Sequence, residues 1–337
     1  MLQTVAMRTE LATKSAAGFL MIGFEGETLP PRTAEILRQG AFGAILFARN
    51  FVDRTQVSHL CHAIKSLDDR PIAVAVDHEG GRVQRFRGPG FTDTRAMRDL
   101  GVHPEGAEER ARALGQLFAA ELRPLGIDID FAPVLDVDSN PANPVIGERS
   151  FSTDPYVVAR LGAAFIEGLQ AGGVAACGKH FPGHGDTDID SHLALPRIGH
   201  DLARLRRVEL VPFEASVKAH VASIMTSHIL FTALDADRPA TMSPRLLALL
   251  REELKFDGVL VSDDLEMKAI AEHFPMPDAA IDAVVAGCDV LLACHTLALQ
   301  DAMIETLAKA IHDERIPAER VLEAEVRRAQ MARKFVR

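Results

Sequence analysis

Eight short, almost wholly apolar runs, separated by stretches in which apolar residues recur with helical spacing, constrain this chain more than any other feature. They cover residues 18–24, 44–47, 72–77, 127–132, 174–178, 223–227, 258–262 and 289–293. Near-continuous apolar character is what a parallel strand needs when both its faces are buried. Between the runs, Val57, Leu60, Cys61 and Ile64 follow the candidate helix cap Asp53 at i, i+3, i+4 and i+7. Ala111, Leu114, Leu117, Phe118 and Leu122 trace a second stripe, and Leu161, Phe165 and Leu169 a third. Ser243-Pro244 opens a fourth helix, with proline where a first turn tolerates it. Strands alternating with helices predict an α/β fold, and eight of them predict a (β/α)8 TIM barrel with irregular strands. The 337 residues suit one such barrel with decorated loops. An open doubly wound sheet is the alternative, but Gly23-Phe24-Glu25-Gly26-Glu27 after the first run is not a dinucleotide-binding turn. With no linker, repeat or low-complexity stretch, residues 1–337 read as a single domain, its Pro317-led tail packed back on the barrel.

Composition narrows the function. Lys and Arg number 37 against 47 Asp and Glu, a net charge of −10 without a basic cluster, so a nucleic-acid partner is not expected. Cys61, Cys177, Cys288 and Cys294 are scattered, which argues against a disulfide framework or a cysteine zinc site. The run Phe19-Leu20-Met21-Ile22-Gly23-Phe24 is short and followed by Glu25, Gly26 and Glu27 rather than a cleavage site. Nowhere do 18 apolar residues run together. A cytoplasmic monomer without a membrane partner is expected.

Catalytic groups of such barrels sit at the C-terminal ends of the strands, and here those ends are crowded with polar residues. The third run ends in Asp77-His78-Glu79-Gly80-Gly81-Arg82, with Arg85 just beyond. The fourth leads to Asp136, Asp138 and a long loop through Asn143 to Glu148-Arg149. The fifth ends in Lys179-His180-Phe181-Pro182-Gly183-His184-Gly185-Asp186-Thr187, followed by Asp190-Ser191-His192. The sixth ends in Ser227-His228 and the seventh in Ser262-Asp263-Asp264. So many charges converging on one face would be costly to bury without a ligand.

Proton transfer is the economical use of this set. In an extended segment, Asp190 and His192 point to one side, and a carboxylate beside an imidazole orients it and stabilises its protonated form. Gly183 and Gly185 are expected to give their loop freedom to bring that pair over a substrate. Asp263, fixed by a strand end, is the opposing candidate. A carboxylate that attacks the anomeric carbon and an acid that protonates the leaving oxygen are what a retaining glycosidase needs, although a histidine acid departs from the usual pair of carboxyls. Asp77 accepts hydrogen bonds from hydroxyls, while Arg85, Arg149, Lys179 and His180 donate to oxygens. The absence of Trp and the single Tyr156 speak against a long polysaccharide cleft and for a pocket holding one terminal sugar.

The stretch from Lys179 to Thr187 with Asp190-Ser191-His192 resembles the signature of bacterial family 3 β-N-acetylglucosaminidases. So do Val76-Asp77-His78-Glu79-Gly80-Gly81-Arg82-Val83-Gln84-Arg85-Phe86, Asn143-Pro144-Val145-Ile146-Gly147-Glu148-Arg149-Ser150-Phe151 and Val261-Ser262-Asp263-Asp264-Leu265-Glu266-Met267. The family more often has Gln in place of His78. The resemblance spans roughly residues 15–335. It implies a retaining, exo-acting enzyme with Asp263 as nucleophile, His192 as acid/base and Asp190 as its partner. It also implies that Asp77, Arg85, Arg149, Lys179 and His180 hold the sugar, with no metal and no organic cofactor. The implied substrate is N-acetylglucosamine linked β-1,4 to anhydro-N-acetylmuramic acid, with or without peptide, in peptidoglycan recycling; ending after the barrel places the chain with single-domain members. Three other readings stay open: a phosphorylase of the same fold, a metal hydrolase using His180, His184 and Asp186, and a non-catalytic sugar-binding barrel.

Overall fold

The computed structural model describes residues 2–191 and 193–337. Eight strands form a closed parallel barrel in which each pairs with its chain neighbours and the last pairs with the first. They are β1 (Leu20–Ile22), β2 (Gly43–Leu46), β3 (Ala73–Val76), β4 (Ile129–Asp130), β5 (Ala175–Phe181), β6 (Ser223–Thr226), β7 (Val259–Asp264) and β8 (Val290–Ala293). All eight lie within or over the apolar runs, and the TIM barrel expected from them is the observed fold.

Alternation explains why the runs are apolar throughout. Met21, Ile45, Ala73, Ala75, Ile129, Ala175, Cys177, Met225, Val259, Val261, Val290 and Leu292 pack into one inner cluster. Their neighbours along the strands, among them Leu20, Ile22, Leu46, Val74, Val76, Ala176, Ile224, Leu260 and Leu291, pack outward against the helices. The expected helices form over Arg54–Lys65, Ala107–Leu122, Pro155–Ala171 and Pro244–Ala248. Asp53 caps the first of these through Gln56 N, and Ser243 caps the last through Leu246 N. The second and third lie so close that a Cβ on Gly168 would stand 2.0 Å from Arg112 O, which is why the stripe passes through glycine there. The helix Leu2–Gly18 precedes the barrel and takes in Gly18, where the apolar run begins.

Two buried carboxylates close the N-terminal end of the barrel. Asp128, before β4, accepts from Lys65 Nζ (2.5 Å), Arg123 Nη1 (2.9 Å) and Val74 N (3.0 Å). Asp289, before β8, accepts from Arg251 Nη2 (2.7 Å), Leu260 N (2.9 Å), Arg327 Nη1 (3.2 Å) and Arg320 Nη2. Arg320 and Arg327 belong to the last helix, Ala318–Phe335, whose Met331 and Phe335 complete the inner cluster from below.

Two strands break register at their C-terminal ends. Between Gly178 and Phe181, β5 carries one residue more than β6, and between Val261 and Asp264, β7 carries one more than β8. Bulges of this kind re-aim side chains. Lys179 and His180 both come to face the barrel mouth, as do Asp263 and Asp264. Among the described residues, no helix is long and apolar enough to cross a membrane.

Candidate active site

A cavity of about 200 Å³ opens at the C-terminal end of the barrel. Asp77, Arg85, Arg149, Lys179, His180 and Asp263 all line it. Asp190 is half-buried on the turn beside Ser191, which also lines the cavity. His192 lies outside the described residues.

One wall is an ion-pair network. Lys179, only 2 % exposed, donates from Nζ to Asp77 Oδ1 (2.6 Å) and lies 2.7 Å from Glu79 Oε1. Arg149 donates to both oxygens of Glu79, 2.8 Å each, in the paired geometry that suits guanidinium and carboxylate. Arg85, on the hairpin after β3, sets Nη2 3.6 Å from Asp77 Oδ2. Burial opposes the charges of Glu79, Arg149 and Lys179, and the partners overcome it. Arg149 and Lys179 hold the Glu79 carboxyl below its usual range, while Asp77 and Glu79 hold Lys179 above its own. Asp130 beneath the network behaves oppositely: burial, with Asp77 and Glu79 nearby, raises it well above the ordinary carboxyl value. It accepts from His78 N (2.9 Å) through Oδ1.

A second network fixes the imidazoles. Asp136 accepts from His180 N (3.1 Å) and His184 N (2.7 Å) through Oδ1, and Oδ2 lies 2.7 Å from His180 Nδ1. Burial works against this carboxylate, but His180 and then His184 hold it below its usual range. A donating Nδ1 leaves Nε2 of His180 for the cavity. His184 sits between hydroxyls, Nε2 on Ser191 Oγ (2.9 Å) and Nδ1 on Thr187 Oγ1 (3.0 Å). Burial, then the His180 charge, lowers it to about 4, so it is neutral. The residues considered for a metal therefore have separate partners: His180 is on Asp136, His184 on the two hydroxyls, and Asp186 on Ser139 Oγ and His200 Nε2. Among the described residues, no group of three or more His, Cys, Asp or Glu side chains is placed to hold a metal ion.

One expectation about the loop after β5 is corrected. Gly185 serves close approach rather than freedom, since a Cβ there would stand 1.7 Å from Val137 O. Asn143 holds this loop to the one bearing Arg149, donating from Nδ2 to His184 O (2.8 Å) and accepting from Val145 N and Ile146 N through Oδ1. Asp190 O accepts from Leu193 N (2.9 Å) and Ala194 N (3.1 Å).

The remaining wall comes from the ends of β7, β8 and β2. Asp263 Oδ1 accepts from Asp264 N (2.8 Å). Asp264 Oδ1 accepts from Glu266 N (3.1 Å) and Cys294 N (3.3 Å), consistent with structural roles for Asp264 and Glu266. His228 is wholly buried, bridging Thr241 Oγ1 and Asp264 O. Cys177 and Cys294 are buried, with thiols raised above the ordinary value by burial, as inert core groups would be. Sequence reasoning gave no role to Glu79, Asp136 or His295, all of which shape the cavity. A charge count would have pointed to the first two, since Lys179, Arg149 and Arg85 need more than Asp77 to balance them. His295 lies two residues past β8, at the same end of the barrel as the other cavity-lining residues.

Residues 17–331 match the glycosyl hydrolase family 3 N-terminal domain. A beta-hexosaminidase of Thiobacillus denitrificans is 44 % identical over 280 residues, covering 82 % of this chain and 77 % of its own. One from Tolumonas auensis is 43 % identical over 86 % of both chains. Among solved structures, a family 3 β-N-acetylglucosaminidase from Paenibacillus superposes with a TM-score of 0.92 at 38 % identity over 96 % of this chain, which spans 62 % of that longer protein. NagZ from Neisseria gonorrhoeae, in complex with N-trifluoroacetyl-D-glucosamine, gives a TM-score of 0.79 at 35 % identity, covering 94 % of this chain and 98 % of its own.

Proposed function

The chain belongs to glycosyl hydrolase family 3 and is a glycoside hydrolase of the β-N-acetylhexosaminidase type, and from that premise we propose that it removes non-reducing terminal N-acetylglucosamine with retention of configuration. Asp263 attacks C1 while His192, partnered by Asp190, protonates the departing oxygen; water assisted by His192 then releases the sugar from the glycosyl-Asp263 intermediate. Asp77 accepts from sugar hydroxyls, and Arg85, Arg149, Lys179 and His180 donate to sugar oxygens. The observation that carries this reading is that Asp263 lines the same small cavity as those five residues. A cavity of about 200 Å³ suits one sugar ring and not a chain of them, which favours exo action. The reading extends to the substrate, N-acetylglucosamine β-1,4-linked to anhydro-N-acetylmuramic acid with or without peptide. It also extends to a setting, a cytoplasmic monomer in peptidoglycan recycling.

The test is hydrolysis of 4-nitrophenyl β-N-acetylglucosaminide against the matching β-glucoside, with Asp263→Asn in parallel. Rapid release from the acetamido sugar, a loss of at least about 10³-fold in the variant, and a β-anomer appearing first by proton NMR are expected. An α-anomer, or a variant as active as wild type, would refute the mechanism. Cleavage of the chromogenic substrate without cleavage of the anhydro-muramyl disaccharide would refute the substrate.

A further inference from the structure

The ends of β7 and β8 grip each other through side chains. Asp264 Oδ1 accepts from Cys294 N. Glu266 Oε1 accepts from His295 N (2.7 Å) and Thr296 N (3.0 Å). The third tie is His295 Nε2, 3.3 Å from Asp264 Oδ2. The His295 ring is half-exposed in the cavity wall and stacks on Phe47 at the end of β2, with centroids 5.9 Å apart and planes inclined at 30°. Of the three ties, this is the one whose donor can lose its charge near neutral pH. It acts on Asp264, whose backbone N–H holds Asp263 Oδ1.

We propose that His295 is a positioning residue for the reaction, its ring fixing Asp264 so that Asp263 presents a carboxylate oxygen to the anomeric carbon. This rests on the reading of Asp263 as nucleophile. The charged groups facing His295 are Asp264 and Glu266 from the end of β7 and Arg49 from the turn after β2, the last paired with Glu25. The hydrogen bond to Asp264 outweighs burial and the Arg49 charge and raises the imidazole above its ordinary value. The protonated ring grips Asp264 more firmly than the neutral one, so presentation of Asp263 weakens as pH rises through that value.

The experiment follows covalent labelling by an N-acetylglucosaminyl fluoride carrying a second fluorine at C5, read by intact-protein and peptide mass. The Asp263 carboxylate forms the bond to C1 as the C1–F bond breaks, and fluoride departs with its electron pair. Fluoride leaves without the proton that an alkoxide needs, so the labelling rate is insensitive to His192 and reports Asp263 alone. His295→Phe, which keeps a ring against Phe47 but removes the donor, is expected to label about tenfold more slowly. KM for the 4-nitrophenyl substrate and the thermal midpoint should stay close to wild type. His295→Gln, which keeps an uncharged N–H, should recover most of the rate and lose the decline on the basic side. Labelling of Asp263 at equal rates in wild type and His295→Phe, or a change confined to KM, would overturn the proposal alone. Labelling at another residue, or none in wild type, would overturn the nucleophile reading and this proposal with it.

Discussion

Replacing Glu79 with Gln removes one charge from a buried cluster and leaves Arg149 and Lys179, with the more exposed Arg85, facing Asp77 as the one carboxylate of the network. Glu79 accepts both donors of Arg149 at 2.8 Å and lies 2.7 Å from Lys179 Nζ, with 1 % of its surface exposed. Removing one partner from such a pair costs about 3–5 kcal/mol, because the other charge stays buried and uncompensated. An unfolding entropy of about 2.1 cal/mol/K per residue over 337 residues corresponds to about 0.7 kcal/mol per degree. The thermal midpoint of Glu79→Gln should therefore fall by about 4–7 °C at pH 7. The pH dependence has a definite sign. The folded carboxyl is held below its ordinary value by Arg149 and Lys179 against the opposition of burial. Its contribution is thus complete above about pH 4.3 and lost as pH falls towards the folded value. The gap between wild type and variant should narrow on acidification. The double variant Glu79→Gln/Arg149→Met leaves Asp77 facing the buried Lys179 and the partly exposed Arg85, one cation fewer than Glu79→Gln alone. It should regain stability relative to Glu79→Gln without regaining activity towards 4-nitrophenyl β-N-acetylglucosaminide. Scanning calorimetry with steady-state kinetics on both variants decides the matter. A Glu79→Gln midpoint within a degree of wild type, or a double variant no more stable than the single one, would refute the charge-balance argument.

Further outcomes follow from the same geometry. Asp136→Asn removes the carboxylate shared by His180 and His184, and kcat/KM should fall by at least about tenfold, which initial-rate kinetics would show. His78 is buried among Phe86, Phe91 and Phe118 with both ring nitrogens unpartnered among the described residues, and burial lowers it to about 3. It stays neutral while the unfolded chain protonates below about pH 6.5, so wild type loses stability from there downward. His78→Leu should raise the thermal midpoint, and by more at pH 5 than at pH 8; equal gains would contradict this. Asp289→Asn leaves Arg251, Arg320 and Arg327 without their common carboxylate and should cost about 3–5 kcal/mol in chemical denaturation.

The barrel was legible because each strand is buried on both faces, leaving a run that a helix pattern does not imitate. The ends of β5 and β7 were less so. Lys179 and Asp263 look like the polar ends of their strands, and only the extra residue in each ladder carries the strands through them. Burial of a lysine at 2 % exposure depends on Asp77 and Glu79, which come from the end of β3, about a hundred positions earlier in the chain. The close approach of Gly185 to Val137 likewise depends on tertiary neighbours. His295 escaped notice because the polar ends were followed only as far as β7.

The pairing of β1 with β8 has a consequence for synthesis. β1 leaves the ribosome long before its partner Val290–Ala293. A nascent chain that stops short of residue 290 holds strands with nothing to close the ring, and two unpaired edges remain open. The loss is compounded because Met331 and Phe335, which finish the inner cluster, come later still. Such a chain has to be kept from pairing with its neighbours until β8 has been made. Interrupted translation should therefore yield aggregates in place of a smaller folded protein.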